Sequence, residues 1–120
     1  MIKLNEWKKF VIEFGFGIDQ HGQDPTHATI KAIKDAISRC YLIGIPELGL
    51  KEMKIEVLIG VPHADQVDIE AVKKSFPLNY EKDIRVVEGG LISEGFKYEE
   101  LGDKSNEVML AVASITVLVR

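Results

Sequence analysis

The sequence predicts one α/β domain folded as a two-layer sandwich, in which two helices cover a mixed four-stranded β-sheet. Its 120 residues suit a single domain, taken here as residues 1–120. Four segments have the two-residue periodicity of β-strands, and the two segments between the first three strands have helical periodicity. The predicted order is β-α-β-α-β-β, and both helices pack against the one sheet because each must bury an apolar face.

The four predicted strands are residues 8–17, 53–61, 83–88 and 107–120. In the first strand the larger apolar residues alternate onto one face, which carries Phe10, Ile12, Phe14 and Phe16. The second strand alternates in the same way, and its apolar face carries Met53, Ile55, Val57, Ile59 and Val61. Such alternation is typical of strands that turn one face toward a core.

Each predicted helix begins at an aspartate. Asp24 is placed to cap the first helix, with Pro25 at its first position. Gly44 and Pro46 are expected to end that helix. Its apolar stripe comprises Ile30, Ile33, Ile37 and Tyr41. Asp68 is placed to cap the second helix. The apolar residues of the second helix, and the proline that closes it, are Ile69, Val72, Phe76 and Pro77.

The last strand is apolar on both of its faces. Val108, Leu110 and Val112 begin one side, while Met109 and Ala111 begin the other. Two helices are enough to cover only one face of the sheet, so the second face needs a different cover. We therefore expect a homo-oligomer that buries this second face; the alternative is a curled sheet that hides its own face.

The composition excludes several classes of protein. The net charge is −4, and no run of Lys and Arg marks a nucleic-acid surface. No apolar stretch approaches the roughly 20 residues of a membrane span, and the first residues lack the apolar core of a signal peptide. The single cysteine, Cys40, excludes an internal disulfide and fits a reducing cytoplasm. Its apolar helical setting favours a buried structural thiol over a nucleophile.

A polar loop between the first strand and the first helix predicts a binding site. It reads GFGIDQHGQDPTHA at residues 15–28. Its glycines, Gly17 among them, allow a close approach of the backbone to a ligand. A helix N-terminus favours a carboxylate, a phosphate or a ring carbonyl. The side chains expected to face the ligand are Asp19, His21 and Gln23. The alternative is a hydrogen-bonded turn that binds nothing.

Two further segments are expected to approach this loop. His63 follows the second strand, and it converges on His21 if the first two strands run parallel. Lys104 lies with Asp103 and Ser105 just before the last strand, where it is a candidate cation for an anionic or polarised ligand. The alternative for this segment is a hairpin loop with a solvated tip. No closely spaced pair of histidines favours a metal, so no metal or cofactor is assigned.

Three segments resemble a small family of bacterial and plant proteins named for a Listeria open reading frame. They are EFGFGIDQHGQDPTHATIKAIKDAI, VVEGG and ELGDKSNE. That family is in turn similar to one repeat of the ring-opening amidohydrolases, cyanuric acid hydrolase and barbiturase. The resemblance implies a chorismate-mutase-like fold and a trimer with sites between subunits. Asp24 and Thr26 match the Asp-x-Thr before the hydrolase helix, which implies a ligand near Thr26. The hydrolase lysine and serine have no counterpart here, so no catalytic residue is transferred.

Two classes of function are therefore open. The first is a small-molecule-binding protein with its site at a subunit interface, possibly a hydrolase or lyase that acts on a cyclic amide or a small carboxylate. In that class His21 is the general acid or base and Asp19 orients it. The second class is a non-catalytic metabolite-binding or structural homo-oligomer. The sequence leaves open whether the protein is an enzyme.

Overall fold

The computed structural model describes residues 6–21, 23–39, 46–76 and 80–120. Within these ranges the chain forms an α/β fold whose main elements are β1 Lys8–Asp19, α1 Pro25–Ile37, β2 Met53–Val61, α2 Ile69–Lys74, β3 Glu81–Glu88, β4 Leu91–Glu94 and β5 Glu107–Val119. No helix in these ranges is long and apolar enough to cross a membrane. The predictions made for Gly22, Cys40, Tyr41, Gly44 and Pro77 lie outside the described residues.

All five strands belong to one mixed sheet, whose main path has the order β1-β5-β2-β3. β5 is antiparallel to both β1 and β2, while β2 and β3 are parallel. The first three strands of the chain therefore run in one direction and end at the same edge of the sheet. β5 starts at that edge and lies between β1 and β2. β1 and β2 are therefore parallel to each other, as the prediction for His63 requires, and the loops that follow them lie at the same edge of the sheet.

The sheet has five strands rather than the four that the sequence predicts. The additional strand, β4, pairs antiparallel with β5 beyond the end of β2 and aligns Leu91 with Leu110. Gly90, just before it, has a φ of 66°. A side chain at Gly90 would meet the carbonyl oxygen of Leu110. A strand of four residues next to glycines has too little periodicity to be recognised in sequence.

Both helices begin where the sequence predicts. The Asp24 carboxylate accepts a hydrogen bond from the Thr26 N–H, and the Asp68 carboxylate accepts one from the Ala71 N–H. α1 is shorter than predicted and ends at Ile37. Pro46 does not end it; a separate 3₁₀ turn covers Pro46–Leu48.

The face of α1 that packs on the sheet combines small residues with the predicted isoleucine stripe, because Ile33 is buried and Ile30 and Ile37 pack partly buried against the same core. Three alanines at four-residue spacing are fully buried together with Ile33: Ala28, Ala32 and Ala36. They lie on β1 at Gly15 and Gly17, where a Cβ atom would collide with the α1 backbone. These two glycines therefore let helix and strand approach closely. The prediction for Gly17 is a close approach of the backbone to a ligand, and the close approach seen at Gly17 is to α1.

The core lies between this helical layer and the inward face of the sheet. The second strand turns the predicted side chains inward, and Ile55, Val57, Ile59 and Val61 are all buried. β5 contributes its odd-numbered side chains, and α2 contributes Val72. The opposite face of the sheet carries no helix in the described part of the chain.

We call this opposite side of the sheet the open face. Seven of its large apolar side chains are exposed in the single chain: Ile12, Phe14, Phe16 and Ile18 of β1, Leu58 of β2, Leu91 of β4 and Val112 of β5. Phe14 and Phe16 are 65% and 57% exposed. The strand pairing places Phe16 beside Val112, and Phe14 and Leu58 on either side of Ser114. The aromatic face predicted for the first strand thus exists, but it points away from the helices.

Replacing Gly17 with Ala should strongly destabilise the fold. The new methyl group would lie 2.5 Å from the Ala28 oxygen and the Ala32 nitrogen, and backbone atoms cannot move aside locally. We expect a loss of about 1–3 kcal/mol or more in the free energy of unfolding, measured by urea denaturation. Gly60→Ala is the control, because its Cβ would face the Val112 methyl group at 3.3 Å and only a side chain must adjust. Equal stability of the two variants would contradict the close-packing role.

Candidate functional site

The candidate site lies at the edge of the sheet where β1, β2 and β3 end. The loop after β1 contributes His21 and Gln23, and the loop after β2 contributes His63. The segment that leads into β5 contributes Asp103 and Glu107. Hydrogen bonds join this segment to both loops across more than forty residues of sequence.

His21 and Asp103 form a hydrogen-bonded pair. The Nδ1 of His21 lies 2.9 Å from Oδ1 of Asp103. The Asp103 side chain is 1% exposed, whereas that of His21 is 37% exposed. The other carboxylate oxygen of Asp103 accepts a hydrogen bond of 2.8 Å from the Tyr98 N–H. A buried carboxylate thus holds a partly exposed imidazole in one orientation.

The environment of Asp103 determines which nitrogen of His21 carries the proton. The hydrogen bond from the Tyr98 N–H lowers the pKa of Asp103, His21 lowers it further, and burial acts in the opposite direction. The carboxylate is therefore ionised at neutral pH and can only accept hydrogen bonds. Nδ1 of His21 must donate, which leaves Nε2 of the neutral ring as a proton acceptor.

The partner of His21 differs from the one that the sequence predicts. Asp19 does not orient His21, because its carboxylate accepts a 3.0 Å hydrogen bond from the Asp24 N–H at the start of α1. Asp19 is buried, and the histidine nearest to its carboxylate is His27, at 3.5 Å. Asp19 therefore closes the loop onto α1, and Asp103 takes the orienting role.

The side chain of Gln23 joins the two segments of the site. Its Nε2 donates to the carbonyl oxygens of Ser105 and Glu107, at 2.7 and 3.1 Å. Its Oε1 accepts from the N–H groups of Lys104 and Ser105, at 3.0 and 3.1 Å. Gln23 itself has a φ of 50°, so the loop holds a left-handed backbone there. The amide binds the protein's own backbone at both ends instead of facing a ligand as predicted.

Thr26 is also engaged inside the subunit. It is nearly buried, and its hydroxyl oxygen accepts a 2.8 Å hydrogen bond from the N–H of Asp68. This contact ties the first turn of α1 to the cap of α2. The ligand contact that the resemblance implied for Thr26 is therefore replaced by a contact between the two helix N-termini.

His63 lies at the same edge but pairs with a different carboxylate. Its Nε2 is 3.3 Å from Oε2 of Glu107. Its backbone is left-handed, with a φ of 55°, and the Glu88 carboxylate accepts from the N–H groups of His63 and Ala64. The structure thus places His21 and His63 at one edge with separate partners. Among the described residues, no three His, Cys, Asp or Glu side chains come together as a metal-binding group.

The exposed surface around His21 is aromatic and carries Lys104. The Tyr98 ring meets the His21 ring edge to face, at 6.2 Å between centroids. Phe96 lies 6.3 Å from Tyr98 and is 79% exposed. Lys104 is exposed beside the Gln23 contact, with its backbone held by the loop of its own subunit.

Comparison with known proteins assigns the chain to a family. A family model described as a conserved hypothetical protein, Lin0512_fam, matches residues 9–117. The chain belongs to the Lin0512 family. A similar solved structure is that of an FtsZ-like protein of unknown function from Nostoc punctiforme, which is 43% identical, with a TM-score of 0.84 over 93% of this chain and 95% of that one. No curated protein matches the chain significantly.

Three residues of this Lin0512 protein's site were missed or left without a role by sequence reasoning. Asp103 was noted only as part of a polar segment, and Tyr98 and Glu107 were not considered. Each acts on a residue far away in sequence, as Asp103 does on His21 across 82 positions. The sequence offered one signal for Asp103, which is the glycine directly before it. Gly102 has a φ of 86° and forms a turn that leads into Asp103.

Replacing Gln23 with Ala should loosen the segment before β5. The variant leaves two N–H groups and two carbonyl groups without the amide that binds them. We expect a loss of about 1–3 kcal/mol in the free energy of unfolding. Hydrogen exchange of the Lys104 and Ser105 amides should quicken. Gln20→Ala, an exposed glutamine three residues earlier, is the control and should change neither quantity. Unchanged exchange at Ser105 would contradict this role for Gln23.

The contribution of the Asp103 carboxylate to the free energy of unfolding should disappear in acid. Because its folded pKa is below the ordinary value of 3.8, ionised Asp103 stabilises the fold fully above that pH. This stability is lost as the pH falls through the lowered folded pKa. We expect the native protein to exceed Asp103→Asn in free energy of unfolding at pH 5–7, with the gap closing below about pH 3.8. A gap that stays constant across urea denaturation curves down to the lowest pH would contradict the assignment.

Proposed function

We propose that this protein is a small-molecule-binding subunit of a cytoplasmic homo-oligomer, with His21 at the centre of its ligand site. The orientation of His21 by the buried Asp103 carboxylate carries the proposal. A buried ionised carboxylate on a surface imidazole is costly to maintain without a purpose. It favours the tautomer in which Nδ1 carries the proton and Nε2 is the proton acceptor.

The chemistry of the site favours a planar cyclic amide over an aliphatic carboxylate. Tyr98 offers a ring surface beside His21, Phe96 lies next to Tyr98, and the exposed Lys104, which follows Asp103 in the chain, supplies a positive charge. Flat rings stack on aromatic side chains, and a cation favours a polarised carbonyl or an imide anion. In a hydrolase or lyase of this class, Nε2 of His21 accepts a proton from water or from the substrate. The amidohydrolase resemblance supports the same substrate class.

The site is proposed to lie at a boundary between subunits. The open face continues to Ile18, one residue from the end of β1 and three residues from His21. A subunit that covers this face would stand next to the imidazole. A trimer or a multiple of three is the expected assembly, in line with the chorismate-mutase-like arrangement that the resemblance implies.

A second candidate function is a structural or metabolite-binding homo-oligomer without catalysis. The hydrogen bonds inside the subunit favour it, since Asp19, Gln23 and Thr26 all bind the protein's own backbone. Among the predicted site residues, the side chains of His21 and His63 are partly exposed, and Lys104 is exposed. Such a set can bind a ligand without performing chemistry on it.

Replacing His21 with Asn separates binding from structure. Asparagine keeps an N–H donor close to the position of Nδ1 and so preserves the bond to Asp103, but it removes the proton acceptor. We expect the thermal unfolding midpoint and the mass of the assembly to change little. Binding of a ligand identified in a thermal-shift screen of planar cyclic amides and small carboxylates should weaken at least about tenfold, or about 1.4 kcal/mol.

The control for this experiment is His27→Asn, because His27 is the more exposed histidine and lies against Asp19. It should bind the same ligand as the native protein does. If His21→Asn bound normally, or if it split the assembly, His21 would be a structural residue and the proposed site would be wrong.

A further inference from the structure

We propose that the open face is the surface on which neighbouring copies of this chain pack in the assembly. Ile12, Phe14, Phe16 and Ile18 form its centre together with Leu58, Leu91 and Val112. The inference goes beyond the proposed ligand site, because it identifies the contact surface and does not depend on any ligand.

The exposed apolar area approaches that of a standard interface. An aromatic side chain presents about 150–250 Å² when fully exposed, and aliphatic side chains fall near or below the lower end of this range. The seven side chains are exposed by between 43% and 65%. At about 150 Å² each they present roughly 550 Å² of apolar surface, against the roughly 800 Å² per partner of a standard interface. This is at the upper end of the about 300–600 Å² of the largest apolar patch on a typical monomer, and such patches are often functional.

The outer edge of β1 is already occupied between Phe14 and Ile18. The Asp35 carboxylate accepts a 2.9 Å hydrogen bond from the Phe16 N–H, and Arg39 donates to the Phe14 carbonyl oxygen. Lys31 donates to the carbonyl oxygen of Ile18 at 2.9 Å. These are the groups that a neighbouring strand would need. Association through this part of β1 therefore has to use its face.

The charges beside the apolar centre favour an identical partner. The open face passes from Leu58 to the polar ends of β2 and β3, where Lys54 and Glu56 pair with Glu81 and Asp83 and Arg85 lies beside Leu58. This rim has two positive and three negative side chains. A rim of mixed sign can pair with the rim of another copy, whereas a nucleic acid or an anionic membrane requires a basic surface.

The experiment compares two charged substitutions of exposed apolar residues. Phe14→Glu places a carboxylate in the centre of the open face. Leu48→Glu is the control, because Leu48 is 63% exposed, about as much as Phe14, but lies in the 3₁₀ turn before β2. Mass is measured by light scattering and sedimentation velocity from low to high micromolar protein, and circular dichroism confirms that each variant is folded.

The native protein and Leu48→Glu should have the same multiple of the 13.4 kDa chain mass. Phe14→Glu should dissociate to the monomer or raise the dissociation constant at least about a hundredfold. A native protein that is monomeric throughout would overturn the proposal, and so would a folded Phe14→Glu that keeps the native mass. Failure of the ligand screen would leave these results unaffected.

Discussion

The close contact between α1 and β1 is the constraint on which the rest of this structure depends. It requires residues without side chains on the inner face of β1, and Gly15 and Gly17 meet that requirement opposite Ala28 and Ala32. Because side chains alternate across a strand, the glycines fix where the phenylalanines go. Phe14 and Phe16 must point to the other side of the sheet. The helix contact and the exposed aromatic face are thus two results of one sequence pattern.

The same contact determines where the candidate site forms. β1 continues from Gly17 to Asp19, whose carboxylate holds the Asp24 N–H and so brings the chain back into α1. The loop between them presents His21 and Gln23 to the segment before β5. Gln23 fixes that segment by its backbone, and Asp103 fixes the imidazole. Structural and functional candidates therefore lie side by side in one short loop, and only their hydrogen bonds distinguish them.

Much of the fold could be predicted because it depends on local patterns. The alternation in residues 53–61, the aspartate caps of both helices and the two apolar faces of the last strand are all present as expected. Alternation alone could not predict which face of the first strand packs against the helices. A strand with glycines on one face and phenylalanines on the other can turn either face toward the helices. The short strand β4 lacked a readable period.

The candidate site was predicted less well than the fold, for a different reason. The loop that the sequence indicates carries His21, whose side chain is partly exposed there. Sequence reasoning paired His21 with Asp19 because the two are close in sequence. The actual partner, Asp103, lies 82 residues away, and nothing local indicates that contact. Gln23 and Thr26 were assigned to a ligand because a polar side chain gives no sign in sequence of whether it binds a substrate or its own backbone.

The spacing of contacts along α1 has a consequence for how this chain can vary. Ala28, Ala32 and Ala36 recur every four residues, as do Lys31, Asp35 and Arg39, which bind the β1 backbone. Four helical residues advance about 6 Å, and two strand residues advance about 6.6 Å. Helix and strand therefore stay in step over three repeats. A one-residue insertion or deletion in either element would break every repeat beyond it at once, so length changes in this family should collect in the connections and not in this pair.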